Sequence, residues 1–361
     1  MLFRLLAALI GFALTCQSAD HHKTENVIFV MTDGLRWQEL FHGADAALMD
    51  EDKGGVKDVS QLRKKYWRES ERDRRVALLP FIWTTVVNQG QIYGNPDLHS
   101  AVYLTNGLNF SYPGYSEALT GIADPRVKSN DKVPNPNVSV LEWLNKKPAY
   151  HGLVTAFAAW DVFPSILNVE RSGLLVNAGW DPFLLLPGDS RIATLNQLKR
   201  DGPRYWSEEP FDAIPFYTAF EYLKVKRPRL LFVSLGETDD WAHEERYDLY
   251  LDAAHRADQY LRVLWDTVQS IPQYRNKTTL VFATDHGRGE GSEWTTHGEK
   301  VPEAKNVWLI VAGPDTPATG EQRNVAVTQN QIAATIAALL GENFRSAFPV
   351  SGEPIRAVAA R

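Results

Sequence analysis

The chain has 361 residues, 44% of them apolar, with a net charge of −6 and one cysteine. This length buries a sizeable core and excludes a small stapled module. The acidic balance argues against a general nucleic-acid surface, which needs a concentrated basic face, and leaves a small or locally held substrate.

Arg4 precedes an apolar stretch from Leu5 to Leu14, and small and polar residues follow around Cys16-Gln17-Ser18-Ala19. This is the pattern of a secretory signal over residues 1–19, too short for a membrane span. Thr15 stands where lipid attachment at Cys16 favours Gly or Ala, so plain cleavage is expected. The mature protein, residues 20–361, is then periplasmic or secreted, has no membrane span, and has no cysteine for disulfides, thiolate zinc sites or nucleophilic catalysis.

From Asn26 onward apolar runs alternate with helical patterns, and no repeat or linker marks a second domain. The runs Val27–Met31, Leu153–Phe157, Leu230–Val233, Leu280–Ala283 and Val307–Val311 read as buried strands. Five candidate parallel strands predict one α/β domain, a doubly wound, mostly parallel sheet sandwiched by helices. Residues 50–75 interleave Arg63, Lys64, Lys65, Arg68, Arg72, Arg74 and Arg75 with acids and read as a solvated helical insertion. Leu251, Ala254, Leu261, Leu264 and Val268 recur at helical spacing, as does the stretch from Gln329 to Leu340 before Gly341.

Three of the strand runs lead into metal-type ligands. The first ends in Thr32-Asp33-Gly34. The third leads to Glu237-Thr238-Asp239, with His243 four residues on. The fourth ends in Thr284-Asp285-His286-Gly287, with His297 soon after. In open α/β sheets functional groups collect past the carboxyl ends of the strands, so these six converge on one rim. Zinc accepts imidazole nitrogen and carboxylate oxygen. Asp239, His243 and His297 can form one site; Asp33, Asp285 and His286, with a hydroxyl, can form the other. Asp240 competes with Asp239. The hydroxyl is expected within residues 109–117, from Ser111 or Ser116, where a helix N-terminus favours an alkoxide and a bound phosphate.

With these residues the chain resembles the alkaline phosphatase superfamily, nearest to its two-zinc phosphatases and nucleotide pyrophosphatase/phosphodiesterases. Asp33-Gly34 matches their ligand after the first strand. Ser111-Tyr112-Pro113 and Thr120-Gly121 match their Thr-Phe-Pro and the Thr-Gly ending its helix. Asp239 to His243 matches Pro-Asp-x-x-x-His, Thr284 to Gly287 matches Ser-Asp-His-Gly, and His297-Gly298 matches the final His-Gly. The resemblance spans roughly Asn26 to Gly341.

It implies a phospho-enzyme formed by in-line attack of Ser111 and then hydrolysed. Asp33, Asp285 and His286 would sit on the nucleophile's metal, and Asp239, His243 and His297 on the metal at the leaving group. Two divalent ions, zinc the expected species, would leave the site with its three aspartates near neutral once Ser111 is an alkoxide. Thr238 replaces the motif's proline, and Ser replaces Thr as nucleophile. No match to an arginine or Lys-x-Arg pair appears for holding phosphate; Asn130 lies at the distance of the phosphodiesterases' asparagine, with Asn106, Asn109, Asn135 and Asn137 as rivals.

The expected function is therefore hydrolysis of a small phosphoric monoester or diester. A sulfatase is the runner-up, because Ser111-x-Pro113 fits the Cys/Ser-x-Pro-x-Arg motif, although Tyr115 stands in place of the arginine. A metal-bound binding protein without turnover is the third class. Asp161, Arg171 and Asn177 are further rim positions. His255 falls in a helical stretch and reads as packing.

Overall fold

The computed structural model describes residues 22–359, so the expected signal, with Cys16, lies outside the described residues. The first strand, β1 (Asn26–Thr32), is buried throughout. Ile28 and Val30 enter one apolar core while Val27, Phe29 and Met31 enter another on the opposite face. A strand apolar on both faces belongs at the centre of a sheet covered on both sides.

The remaining strands are β2 (Gly90–Tyr93), β3 (Ser100–Tyr103), β4 (Val154–Ala158), β5 (Leu175–Ala178), β6 (Leu230–Leu235), β7 (Thr278–Thr284), β8 (Asn306–Val307), β9 (Leu309–Ala312), β10 (Gly320–Glu321) and β11 (Val325–Thr328). The main sheet runs β10-β2-β9-β7-β1-β6-β4-β5, and a small sheet runs β11-β3-β8. From β7 to β5 all neighbours are parallel.

The architecture is the expected one, a mostly parallel sheet between helical layers, with one strand reassigned. The run Val307–Val311 is not a parallel strand. It divides at Trp308 into β8 in the small sheet and β9, which lies antiparallel to both β7 and β2. An apolar run carries no sign of its direction, and β7 reaches β9 through a loop instead of the crossover helix that parallel pairing requires. The fifth parallel strand is β5, which the sequence reading passed over.

Helices Ala213–Lys226 and Tyr247–Ser270 cover one face of the sheet, and helices Ser111–Thr120, Val140–Asn145 and Ile332–Leu339 cover the other. Residues 50–75 contribute the helices Glu51–Gly54 and Val59–Tyr66 and enter a third, Glu71–Leu78. Their cations engage local partners: Lys65 pairs with Asp252, Arg75 pairs with Glu321 and lies over Trp83, and Arg74 lies over Trp67. Among the described residues, no helix is long and apolar enough to cross a membrane.

Register places the site. Thr32 lies opposite Leu235 of β6 and Thr284 of β7, so three central strands end level. Asp33 and Asp285 leave the sheet side by side, and β6 continues through Gly236 into helix Glu237–His243.

Candidate metal centre and nucleophile

Asp33, Asp285 and His286 each offer a ligand atom within 4.8 Å of the others, and so do Asp239, His286 and His297. His243 completes the second group, with Nε2 3.1 Å from Asp239 Oδ2 and 3.0 Å from His297 Nε2. His286 stands between the groups, its ring stacked on His297 at 4.0 Å. All six ligand candidates thus occupy one rim.

Backbone hydrogen bonds orient them. Gly34 N–H and His286 N–H both donate to Asp285 Oδ1, at 3.0 and 2.8 Å. Asp285 Oδ2 is buried without a hydrogen-bond partner among the described residues. His286 Nδ1 donates to the Gly287 carbonyl at 2.8 Å, which leaves the lone pair on Nε2, the nitrogen 3.1 Å from Asp33.

The electrostatics fit a cation. Burial pushes Asp33 well above the usual carboxylate range, and the charge of Asp239 adds to it. Asp285 is raised by burial and by Asp33. Burial lowers His286 to about 4, and lowers His297 to about 2 with help from His286. Crowded carboxylates beside neutral imidazoles form a mixed oxygen and nitrogen donor set that suits zinc.

Ser111 is the first residue of helix Ser111–Thr120. Its Oγ lies 3.5 Å from Asp33 Oδ1 and 3.4 Å from His286 Nε2. The helix start is nearly stripped of free donors. Tyr112 N–H goes to Asn130 Oδ1 at 3.0 Å, Pro113 has no N–H, and Gly114 N–H returns to Phe110. The N–H of Ser111 itself is left to face an anion.

The side chains of Ser116, Asn106, Asn135 and Asn137 are engaged elsewhere, while Asn109 keeps a buried side-chain oxygen without a partner among the described residues. Ser116 accepts from Asn135 at 2.9 Å inside the protein, Asn106 donates to buried Glu117, and Asn137 donates to Asp124. The Asn109 carbonyl accepts Gly298 N–H, tying the nucleophile loop to the His297 loop. Asn130 is the asparagine whose side chain reaches the start of the nucleophile helix.

Asp240 is turned toward Glu209, and burial with the charge of Asp239 raises it to about 9. Arg171 is committed to Glu142 and the carbonyls of Asn135 to Asn137, and Asn177 donates to the Asp181 carbonyl. His255 bonds the Leu78 carbonyl, a packing contact. Asp161 pairs with Lys132 at 2.7 Å.

Three further residues support these side chains, and two of them, Arg288 and Asp212, escaped the sequence reading. Arg288 is buried and bonded to Asp239. Burial opposes ionisation of Asp239, yet the guanidinium holds it well below the usual range. Thr238, standing where the resemblance has proline, donates its hydroxyl to the Asp33 carbonyl. Asp212 accepts from Gly236 N–H at 2.7 Å and steadies the start of the helix bearing Asp239 and His243. Signals for these were slight: an arginine two positions after His286, and an aspartate outside every motif.

A family model described as Sulfatase matches residues 189–342, which include Asp239, His243, Asp285, His286 and His297. Comparison with curated proteins gives no significant match. Among solved structures, wild-type alkaline phosphatase PafA is similar over 94% of this chain and 99% of its own, with TM-score 0.58 and 11% identity. The phosphonate monoester hydrolase SpPMH from Silicibacter pomeroyi is similar over 92% and 76%, with TM-score 0.58 and 14% identity. Ps i-CgsB in complex with k-i-k-neocarrahexaose is similar over 91% and 75%, with TM-score 0.52 and 15% identity. At these identities the likeness is one of fold. The fold is alkaline-phosphatase-like, and the Sulfatase match over residues 189–342 agrees with the resemblance to the alkaline phosphatase superfamily that the ordered motifs carry.

Proposed function

We propose that the protein is an exported phosphoric ester hydrolase that holds two divalent metal ions and uses Ser111 as its nucleophile. The observation that carries this reading is the position of Ser111 Oγ, at a helix start and within 3.5 Å of both Asp33 and His286. Asp33, Asp285 and His286 would hold the ion at the nucleophile, and Asp239, His243 and His297 the ion at the leaving group. Bound zinc ions would lower the serine's pKa and neutralise charge on the entering and leaving oxygens.

The chain's own residues do the positioning. Ser111 Oγ forms a bond to phosphorus as the bond to the ester oxygen breaks, and water then cleaves the phosphoserine. The Ser111 N–H and the amide nitrogen of Asn130, whose oxygen is anchored on Tyr112 N–H, would hold the non-bridging oxygens. His243, half exposed at the outer edge, leaves the leaving-group side open to solvent.

A sulfatase reading draws on the description of the matching family model. Against it stands Tyr115, which occupies the place of the motif's arginine and is buried against Ser234 at 3.0 Å.

The test compares hydrolysis of a nitrophenyl phosphate monoester, a bis-nitrophenyl diester and a nitrophenyl sulfate by zinc-loaded protein, with Ser111→Ala as control. The expected result is phosphate-ester turnover that a chelator abolishes and Ser111→Ala reduces at least about a thousandfold. Sulfate hydrolysis far above phosphate hydrolysis would overturn the reading.

A further inference from the structure

We infer that a cavity between helix Ile332–Leu339 and the chain that follows it binds a small amphipathic anion, an apolar chain ending in an acid group. This goes beyond the hydrolase reading and does not depend on it.

The cavity has a volume of about 750 Å³, inside the range of about 300–1,000 Å³ typical of small-molecule sites. One wall is the helix Ile332–Leu339, and the other is formed by residues between Glu342 and Ala359. The helix faces it with Ala334 and Ala338, four residues and so one turn apart, and offers nothing longer than a methyl group there. Phe344, Pro349 and Pro354 make the opposite wall apolar.

The walls are anchored. Phe344, Ile355 and Val358 are buried in the core beneath. Ile355 N–H donates to Thr335 Oγ1 at 2.9 Å, and Gln331 Nε2 donates to the Glu353 carbonyl at 2.9 Å. Arg345 Nε and Nη2 donate to the carbonyls of Ser351 and Pro349, at 3.0 and 2.8 Å. A hollow bounded by fixed segments takes a guest without first having to order loops.

Charge decides the sign of the guest. The charged side chains of the lining are Glu342, Arg345, Glu353 and Arg356. Arg345 pairs with Glu353, and Lys147 pairs with Glu342 at 3.0 Å, so both acids are already answered. Arg356 is exposed and makes no ion pair among the described residues. An apolar hollow with one uncompensated guanidinium at its edge suits an apolar body carrying a carboxylate or phosphate, which the guanidinium can meet with two parallel hydrogen bonds.

The cavity is separate from the metal-ligand rim. Gly352 N–H donates to the Gly121 carbonyl at 3.1 Å, so this part of the chain meets the helix Ser111–Thr120 at its C-terminal end. That helix has 10 residues, and at about 1.5 Å per residue Ser111 lies about 15 Å from Gly121.

The test titrates metal-loaded full-length protein with octanoate, hexanoate and octylammonium by calorimetry. Each buried methylene is worth about fourfold in affinity, so octanoate is expected to bind on the order of tenfold tighter than hexanoate. Octylammonium is expected to bind at least about tenfold more weakly than octanoate. Ala338→Trp, which fills the hollow, is expected to abolish octanoate binding, and Arg356→Gln to weaken it by about tenfold to a hundredfold. No octanoate binding to the parent, equal affinity for the two carboxylates, octylammonium binding as tight as octanoate, or parental binding in Ala338→Trp would each overturn the inference. Should Ala338→Trp unfold at lower urea than the parent, Arg356→Gln and the chain-length ratio decide without it.

Discussion

Arg288 donates to both the main-chain oxygen and a carboxylate oxygen of Asp239, and it does so while almost wholly buried. Its other terminal nitrogen donates to the Thr295 carbonyl at 2.6 Å, so one guanidinium joins helix Glu237–His243 to the loop between His286 and His297. Gly34 makes room for this. At φ +59° a Cβ there would stand 2.9 Å from both Arg288 Nε and Asp239 Oδ1. The arginine fixes the direction of the Asp239 carboxylate and offsets one of three crowded carboxylates.

Replacing Arg288 by Met keeps the bulk and removes the bonds. Groups that orient a metal's ligands typically change affinity by about ten- to a hundredfold. Zinc affinity of Arg288→Met, measured by competition with a chromophoric chelator, is expected to fall by that factor, with Gly34→Ala moving the same way. Parental affinity in both variants would show that Asp239 needs no such support.

Gly114 is the second close approach. A Cβ there would meet the Asp285 carbonyl oxygen at 2.4 Å, while Gln329 Nε2 donates to both the Gly114 and Asp285 carbonyls, at 3.0 and 2.8 Å. The helix that begins at Ser111 is thus seated directly on the main chain of Asp285. Gly114→Ala should push it away by a fraction of an ångström or more. Misplacement of about 1 Å can cost a hundredfold in rate, so kcat is expected to fall by about that factor while zinc content holds. An active Gly114→Ala enzyme would mean the helix position is not limiting.

The difference between what sequence shows and what it conceals is visible in these residues. The ligand candidates were legible because each follows an apolar run at a strand's end, and level strand ends turn sequence order into proximity. Ser111 and Asn130 became candidates through the resemblance, which places them before and after Thr120-Gly121. The direction of β9 was not, since apolar content is the same either way along a strand. Arg288 and Asp212 were not legible because their contacts cross long stretches of chain, and an isolated charge carries no period or motif.

Glu117 tests how the nucleophile loop is held. Fully buried, it accepts from the backbone N–H groups of Thr105 and Asn106 and from both their side chains, at 2.8–3.0 Å. Glu117→Gln has nearly the same shape but puts an amide donor against donors. Leaving buried groups unpaired costs about 1–3 kcal/mol, and that loss is expected in chemical denaturation, together with reduced turnover. Unchanged stability would mean the loop rearranges freely.

Lys199 gives a pH signature at the β5 edge of the sheet, against Asn177 and Asp181. It is 3% exposed, donates to the Asp181 carbonyl at 2.6 Å, and is lowered by burial to about 8. An unfolded lysine titrates near about 10.4. Between those values the unfolded chain binds more protons than the folded one, so this group makes stability rise with pH from about 8 and level off near about 10.4. Below that window the cost of burying the charge is fully present, on the order of 3 kcal/mol. Lys199→Met removes the titration. The stability difference between mutant and parent is therefore expected to favour the mutant most at pH 7 and to shrink steadily toward pH 10, as read by urea unfolding at each pH. A difference that stays constant across that range would mean that Lys199 keeps an ordinary pKa through its bond to Asp181.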